Sequence, residues 1–197
     1  MVQSRAAGAG WINHVPIAVM SAGWLSPLLL FWLAVWGPLR PYGHASGSLG
    51  PSGLVFLLMV VASIAASRVS ARYFSLRSFE RSGRLYEALG VRMFRRVVPD
   101  GDLSNRLRRR KEQSFRIIHN RQQALAFVER TKASERSHLV LFIAGVVSVG
   151  YAAFIGWNGW GALLGVGNVL VNGYPVILQR YTRARIAGGV QARITAV

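Results

Sequence analysis

The sequence contains no cysteine and only seven acidic residues among 197. The lack of cysteine excludes a disulfide framework, a thiol nucleophile and a thiolate metal site. The few acids leave 24 lysines and arginines mostly uncompensated, for a formal net charge of +17. In a soluble protein that charge would favour nucleic acid as the partner. Because 52% of the residues are apolar, we instead predict contact with anionic membrane lipids and no nucleic-acid partner.

Several catalytic motifs are absent as well. The sequence has no Walker loop, no Gly-x-Ser-x-Gly nucleophile elbow and no His-x-x-x-x-Asp pair, which excludes the usual soluble hydrolases and acyltransferases. A Glu-x-x-His motif occurs once, whereas di-iron helical bundles repeat that motif on a second helix. We therefore predict neither a metal site nor a cofactor.

Four apolar stretches predict membrane-spanning helices, over about residues 16–36, 51–67, 139–157 and 162–178. Each is near the roughly 20 residues that a spanning helix needs. A secretory signal peptide is the alternative for the first stretch, but its apolar run is longer than such signals have. Asn158 and Gly159 form a turn signal between the last two. These features predict an all-α integral membrane protein with one membrane domain over residues 1–197.

Basic residues are concentrated between Arg68 and Arg136 and again after the last apolar stretch. Since lysines and arginines near span ends tend to stay in the cytoplasm, we predict that both termini and a central segment, about residues 68–138, are cytoplasmic.

This central segment is predicted to contain an amphipathic helix on the membrane surface, because four apolar residues keep a helical spacing: Phe79, Tyr86, Leu89 and Met93. Glu80 and Arg84 would form an ion pair on its polar face. A turn is predicted at residues 98–102, and the helix after it is expected to run unbroken into the third apolar stretch.

The stretch Glu129–Leu139, "ERTKASERSHL", ends its charged run at a histidine. In a helix Thr131, Glu135 and His138 lie on one face, because they are four and three residues apart. A carboxylate near an imidazole can fix its tautomer and raise its basicity, as a general base for a sugar or lipid hydroxyl requires. The alternative is structural: Glu135 pairs with an arginine, and His138 lies at the membrane interface.

The fourth apolar stretch carries Asn168 and Asn172 on one helical face, and Pro175 is predicted to kink the helix there. Polar side chains at membrane depth either line a site or join helices by hydrogen bonds, and both interpretations apply here. Five polar residues follow at the predicted cytoplasmic boundary: Gln179, Arg180, Tyr181, Arg183 and Arg185. They predict either positive-inside anchoring or a cradle for a phosphate or carboxylate.

Three blocks of the chain together resemble one family, the glycosyl-4,4'-diaponeurosporenoate acyltransferases of bacterial carotenoid synthesis. The blocks are "FERSGRLYEALGVRMFRRVVPDG" at 79–101, "TKASERSH" at 131–138 and "NGYPVILQRYTRAR" at 172–185. The last two are similar to a Thr-Lys followed by Glu-x-x-His, and to an Asn, a Pro and then Gln-Arg-Tyr-Asn-Arg-x-Arg. The chain departs from this pattern at Arg130, where the family has Glu, and at Thr182, where it has Asn. The first apolar stretch is an addition to the shorter family members.

The resemblance implies an enzyme of the bacterial cell membrane that transfers a fatty acyl group to a sugar hydroxyl of a lipid-like glycoside. It implies catalysis by His138, oriented by Glu135, with a second set of residues binding the substrates: Thr131, Asn172, Gln179, Arg180, Tyr181, Arg183 and Arg185. The partners are then a lipid-like acceptor and an acyl donor such as acyl-CoA, and the two sets are expected to meet in one site. The competing interpretation is a non-catalytic scaffold or subunit of a lipid-modifying complex. Neither interpretation indicates an oligomeric state.

Overall fold

The computed structural model describes residues 11–36, 49–98, 102, 106 and 121–195. These ranges contain helices and turns but no strand, which confirms the all-α class for the described chain. The elements in chain order are α1 (Trp11–Trp36), α2 (Leu49–Ser67), two 3-10 turns (Ala71–Phe74 and Ser78–Glu80), α3 (Arg84–Ala88), α4 (Val91–Val97), α5 (Arg121–Phe154), α6 (Asn158–Asn168), a π-turn (Val169–Gly173) and α7 (Tyr174–Thr195).

Three helical stretches are long and apolar enough to cross a membrane: Ile17–Trp36, Gln122–Phe154 and Asn158–Gly188. A fourth candidate is the pair Pro51–Ser67 and Ala71–Glu80, whose two parts meet at a bend of 74°. The structure thus has three candidate spans, or four if the bent pair is one span, where the apolar stretches predicted four. The side of the membrane that each end faces stays a prediction.

The chain packs as two compact units. We call residues 22–75 and 133–176 the aromatic unit, and residues 1–21, 76–132 and 177–197 the basic unit. Both are discontinuous in sequence, because α1, α5 and α7 each contribute residues to both. Each unit buries its own cluster of apolar side chains.

The core of the aromatic unit is built on α1. Phe31 and Trp32 pack against Tyr151 of α5 and Leu164 of α6. The Trp32 ring stacks on Tyr151 with ring centres 5.7 Å apart, and its indole N–H donates to Ser148 Oγ at 3.1 Å. The first apolar stretch is thus part of this core, held by ring contacts and by one buried hydrogen bond.

The connection between α5 and α6 is a Schellman turn at Gly156, whose φ is 78°. The Trp157 N–H donates to the Ala152 carbonyl at 2.8 Å, the bond that commonly closes a helix on a left-handed glycine. The turn therefore lies earlier than predicted, since Asn158 and Gly159 already form the first turn of α6.

The stretch from Phe79 to Met93 is not one amphipathic helix, so that prediction was wrong. Gly83 and Gly90 adopt φ angles of 72° and 76°, and these left-handed residues separate the 3-10 turn, α3 and α4. No helix runs from residue 80 to residue 84, so Glu80 does not pair with Arg84. Its carboxylate instead accepts hydrogen bonds from Tyr86 and from Arg180 of α7. Tyr86 is buried, whereas the rest of the predicted stripe is exposed: Phe79, Leu89 and Met93.

The second half of the central segment is described from residue 121. The predicted turn at residues 98–102 lies outside the described residues apart from its two ends. Helix α5 runs without a break from Arg121 to Phe154. This confirms that the helix before the third apolar stretch continues into it.

The core of the basic unit joins the short helices to α7. Tyr86 and Val91 pack with Leu178 and Tyr181. A Cβ on Gly83 would lie 3.3 Å from the Tyr181 ring. The absence of a side chain at this position therefore serves both the left-handed turn and the close approach of the ring.

Replacing Gly83 by alanine is expected to destabilise the protein by about 1–3 kcal/mol, because alanine is strained at positive φ and its Cβ crowds Tyr181. Thermal unfolding in detergent should show a lower midpoint. Gly53→Ala in α2 is the matched control, since a Cβ there meets nothing within 4 Å. Equal midpoints for the two variants would contradict this account of the turn.

Candidate functional site

A chain of hydrogen bonds in the aromatic unit links the predicted base to two buried amides. His138 Nδ1 lies 3.4 Å from Asn172 Oδ1, and Asn172 Nδ2 donates to Asn168 Oδ1 at 2.9 Å. Asn168 Nδ2 in turn donates to the backbone carbonyl of Phe142 at 2.9 Å. We call Asn168 and Asn172 the amide chain. The structure thus brings together His138 and Asn172, two of the residues predicted for the site.

The amide chain is buried and closely surrounded. Asn172 is 0% exposed and Asn168 is also buried. A Cβ on Gly145 would lie 2.3–2.5 Å from three atoms of the Asn168 carboxamide, a distance that real contacts do not allow. A Cβ on Gly173 would lie 3.4 Å from the Phe142 ring. Gly145 therefore provides the space that Asn168 occupies.

Pro175 explains the local widening of the helix that carries Asn172. Proline has no N–H, so the carbonyl of Val171 lacks the donor it would have in a regular α-helix. The chain forms a π-turn here, in which the Tyr174 N–H reaches back five residues to the Val169 carbonyl. The kink predicted at Pro175 is thus a π-turn, a feature frequent at functional sites.

Glu135, the second predicted catalytic residue, lies on α5 three residues before His138 and is fully buried. The other charges of this run are placed differently. Lys132 pairs with Glu129 at 2.7 Å near the surface, and the Arg136 guanidinium lies 5.0 Å from the Phe74 ring centre. Within "ERTKASERSHL", Glu135 is therefore the acid that the fold removes from solvent.

In the basic unit, Glu80 is the centre of a second polar cluster. Its carboxylate accepts from Arg180 Nη1 at 2.6 Å, from the Tyr86 hydroxyl at 2.5 Å and from the Arg77 backbone N–H at 2.6 Å. The side chains of Glu80 and Arg180 are only 6% and 12% exposed. Arg180 was predicted to bind substrate, and in this structure its guanidinium is held by Glu80.

Tyr181 is anchored in the same unit by Glu87. Its hydroxyl donates to Glu87 Oε1 at 2.9 Å, and Arg92 pairs with the same carboxylate at 2.7 Å. The hydrogen bond from Tyr181 and the Arg92 charge hold the pKa of Glu87 below its ordinary value. Burial and the hydrogen bond to Glu80 raise the pKa of Tyr86 well above the usual range. At neutral pH Glu87 is thus an ionised acceptor and Tyr86 a neutral donor.

The remaining predicted residues also lie in the basic unit. Arg183 is buried and its Nη1 donates to the Thr131 hydroxyl at 3.3 Å, while that hydroxyl donates to the Val128 carbonyl at 2.6 Å. Arg185 is exposed, with its guanidinium 5.9 Å from the Tyr181 ring centre. Gln179 is half-buried. The structure therefore pairs Thr131 with Arg183, a contact that helical spacing did not indicate.

Three contributions to these clusters were missed from the sequence, those of Glu80, Tyr86 and Gly145. The composition could have indicated Glu80. The chain has seven acidic residues and 24 basic ones, and a buried arginine needs a carboxylate partner, so each acid is a candidate for such a pair. No local signal identifies Gly145, whose role depends on a side chain 23 residues away in the chain. Among the described residues no group of three or more His, Asp or Glu side chains lies together.

Comparison with known proteins gives one match. A family model described as "Glycosyl-4,4'-diaponeurosporenoate acyltransferase" matches residues 70–190, more than half of the chain. The matched region contains His138, the amide chain and the Glu80–Arg180 pair. Helices α1 and α2 precede it. Neither a curated protein nor a solved structure matches the chain.

Replacing Arg180 by glutamine is expected to destabilise the protein by about 3 kcal/mol, because the buried carboxylate of Glu80 would lose its cationic partner. The matched control is Arg92→Gln, since Arg92 is 68% exposed in its own ion pair and should change stability little. Unfolding in detergent is the measurement. If both variants unfold alike and Arg180→Gln instead weakens substrate binding, the structural role of this pair is wrong.

Proposed function

The chain belongs to the glycosyl-4,4'-diaponeurosporenoate acyltransferase family, and on that premise we propose that it transfers a fatty acyl group to a hydroxyl of a glycosylated carotenoid or a similar lipid-like acceptor. The family match supports acyl transfer and the glycoside class of acceptor. The hydrogen bond between His138 and Asn172 is the observation that carries the mechanism. This bond supports an anchored imidazole, and His138 belongs to a helix long and apolar enough to span a membrane, where a lipid-like substrate would be found.

In the proposed reaction His138 acts as the general base. The imidazole takes the proton of the acceptor hydroxyl while the hydroxyl oxygen attacks the carbonyl carbon of the acyl donor. The bond between that carbon and the leaving group then breaks. The leaving group takes the proton from the imidazolium, so the products are an ester and, for a thioester donor such as acyl-CoA, a free thiol. His138 returns to its neutral form, and no cofactor enters the balance.

Glu135 is proposed to stabilise the imidazolium that forms during this reaction. It lies on the same helical face of α5, three residues before His138, and Cβ atoms at this spacing are about 5–6 Å apart. Its complete burial strengthens the interaction of its carboxylate with a nearby cation, since little water screens the two charges. In this proposal Glu135 acts on the charge of the imidazole, while Asn172 acts on its orientation.

Binding of an anionic group of the donor is assigned to Arg183 and Arg185, with Gln179, Tyr181 and Thr131 as further contacts. The family match supports this assignment, because these residues belong to the matched region. The exposed guanidinium of Arg185 supports it further. Arg180 is proposed to act on binding indirectly, by fixing the beginning of α7 through Glu80.

The proposed location is a bacterial cell membrane, with the termini and the central segment in the cytoplasm. The apolar helices support membrane insertion, and the lopsided distribution of basic residues supports this orientation. Three exposed apolar side chains of the central segment, Phe79, Leu89 and Met93, lie among exposed arginines. Such a surface suits the headgroup region of an anionic leaflet.

His138→Gln is expected to lower kcat for acyl transfer about 100-fold or more, because general-base catalysis is lost. The assay compares ester products in lipid extracts of cells that carry either variant, at matched amounts of inserted protein. Ser137→Ala is the control, since it changes the neighbouring exposed residue of α5 and should leave transfer normal. Normal ester formation by inserted His138→Gln protein would favour the non-catalytic scaffold instead.

The proposed orientation can be tested with single cysteines, because the natural chain has none. Ser82→Cys in the central segment should react with a membrane-impermeant maleimide only after cells are opened. Gly159→Cys, at the start of α6 where a side chain meets nothing within 4 Å, should react in intact cells. Labelling of Ser82→Cys in intact cells would overturn the cytoplasmic placement of the central segment.

A further inference from the structure

The orientation of the amide chain is dictated by one atom whose chemistry is unambiguous. The backbone carbonyl of Phe142 can only accept a hydrogen bond, so Asn168 must turn its NH₂ group toward it. The Oδ1 of Asn168 then faces Asn172 and can only accept, so Asn172 must present its own NH₂ group there. As a result, the group that Asn172 turns toward His138 is its Oδ1.

An amide oxygen cannot donate, so the hydrogen of this last bond must come from the ring. We propose that the amide chain holds His138 in the tautomer protonated on Nδ1, and that Nε2 is the nitrogen that exchanges the proton with the acceptor hydroxyl. The catalytic consequence rests on the proposed function, whereas the tautomer itself does not. Asn168 and Asn172 are positioning residues in this scheme, and Gly145 is the residue that makes room for the first of them.

The burial of the chain makes this arrangement stable. Asn168 and Asn172 are both buried, with little or no water to replace a broken bond, and an unpaired amide in such surroundings is costly. If Asn168 turned over, two acceptors would face each other at the Phe142 carbonyl and two donors would face each other at Asn172. If Asn172 alone turned over, its oxygen would face the oxygen of Asn168. The two amides could therefore turn only together, and the Phe142 carbonyl prevents that.

The two asparagines could instead only join helices. The same hydrogen bonds would then hold His138 in the same tautomer, so the tautomer of the natural protein does not by itself separate a positioning role from a packing role. The two roles differ in whether kcat follows the tautomer when the amide chain is disturbed. Both quantities therefore have to be measured in the same variants.

The test compares Gly145→Ala with Gly150→Ala in the full-length protein in lipid nanodiscs. Alanine at 145 would push on the Asn168 carboxamide, whereas at 150, on the same helix, a Cβ meets nothing within 4 Å. Histidine labelled with ¹⁵N reports the tautomer, and the signal of His138 is identified by its loss in His138→Gln. We expect the Nδ1–H tautomer in the natural protein and in Gly150→Ala, and a mixture of tautomers in Gly145→Ala.

Asn168→Leu provides a second variant of similar size, in case Gly145→Ala does not fold. It should also give mixed tautomers, although Asn172 is still present. In both variants kcat should fall in proportion to the fraction of rings that keep Nδ1–H, by about twofold when the two tautomers are equally populated, while KM changes little. A rise in KM with an unchanged tautomer would overturn the proposal and assign the amides to substrate binding.

The proposal on the tautomer and the proposal of acyl transfer can be overturned by different results. An Nε2–H ring in the natural protein, or an unchanged Nδ1–H ring in both Gly145→Ala and Asn168→Leu, would overturn the positioning role even if His138→Gln abolishes transfer. Conversely, the expected spectra in a protein without acyl transfer would support the amide chain and remove the proposed function.

Discussion

A polar side chain inside an apolar helix has to find a hydrogen-bond partner, because no water is available to replace one. Asn168 and Asn172 satisfy this constraint through each other. Their chain ends on a backbone carbonyl at one side and on the imidazole of His138 at the other. The Phe142 carbonyl can only accept a hydrogen bond, so both amides have a fixed orientation and Asn172 turns its oxygen toward the imidazole. In our proposal, the arrangement that makes burial of the amides tolerable also orients the catalytic base.

The same logic organises the basic unit with charges in place of amides. Acids are scarce in this chain, and two of them each hold a residue of α7: Glu80 binds Arg180, and Glu87 binds Tyr181. The left-handed Gly83 allows the Tyr181 ring to approach closely. A short segment rich in arginine is thus folded around its own few carboxylates. Only part of the large positive charge is left to meet anions outside the protein.

Part of the apolar packing comes from outside the region that carries the polar clusters. The family match covers residues 70–190 and includes every side chain assigned to the site. Helices α1 and α2 lie before it, yet Phe31 and Trp32 of α1 supply part of the core of the aromatic unit. Apolar packing tolerates many combinations of side chains of suitable volume, whereas hydrogen-bonding atoms need fixed positions. A helix outside the matched region, such as α1, can therefore support a site without contributing any of its hydrogen-bonding residues.

Spacing along the chain determined what depends on a few neighbouring residues. It predicted the apolar helices, the unbroken α5, the common face of Asn168 and Asn172, and a kink at Pro175, where the structure has a π-turn. It was wrong at Gly83 and Gly90, where a regular apolar period concealed two left-handed turns.

Only the tertiary structure decided which groups meet across long separations. His138 and Asn172 are 34 residues apart, and Glu80 and Arg180 are 100 residues apart. The empty volume beside Gly145 exists only because another helix fills it with Asn168. Such contacts depend on how helices pack, and the period of a single helix contains no information about the neighbour that its face will contact.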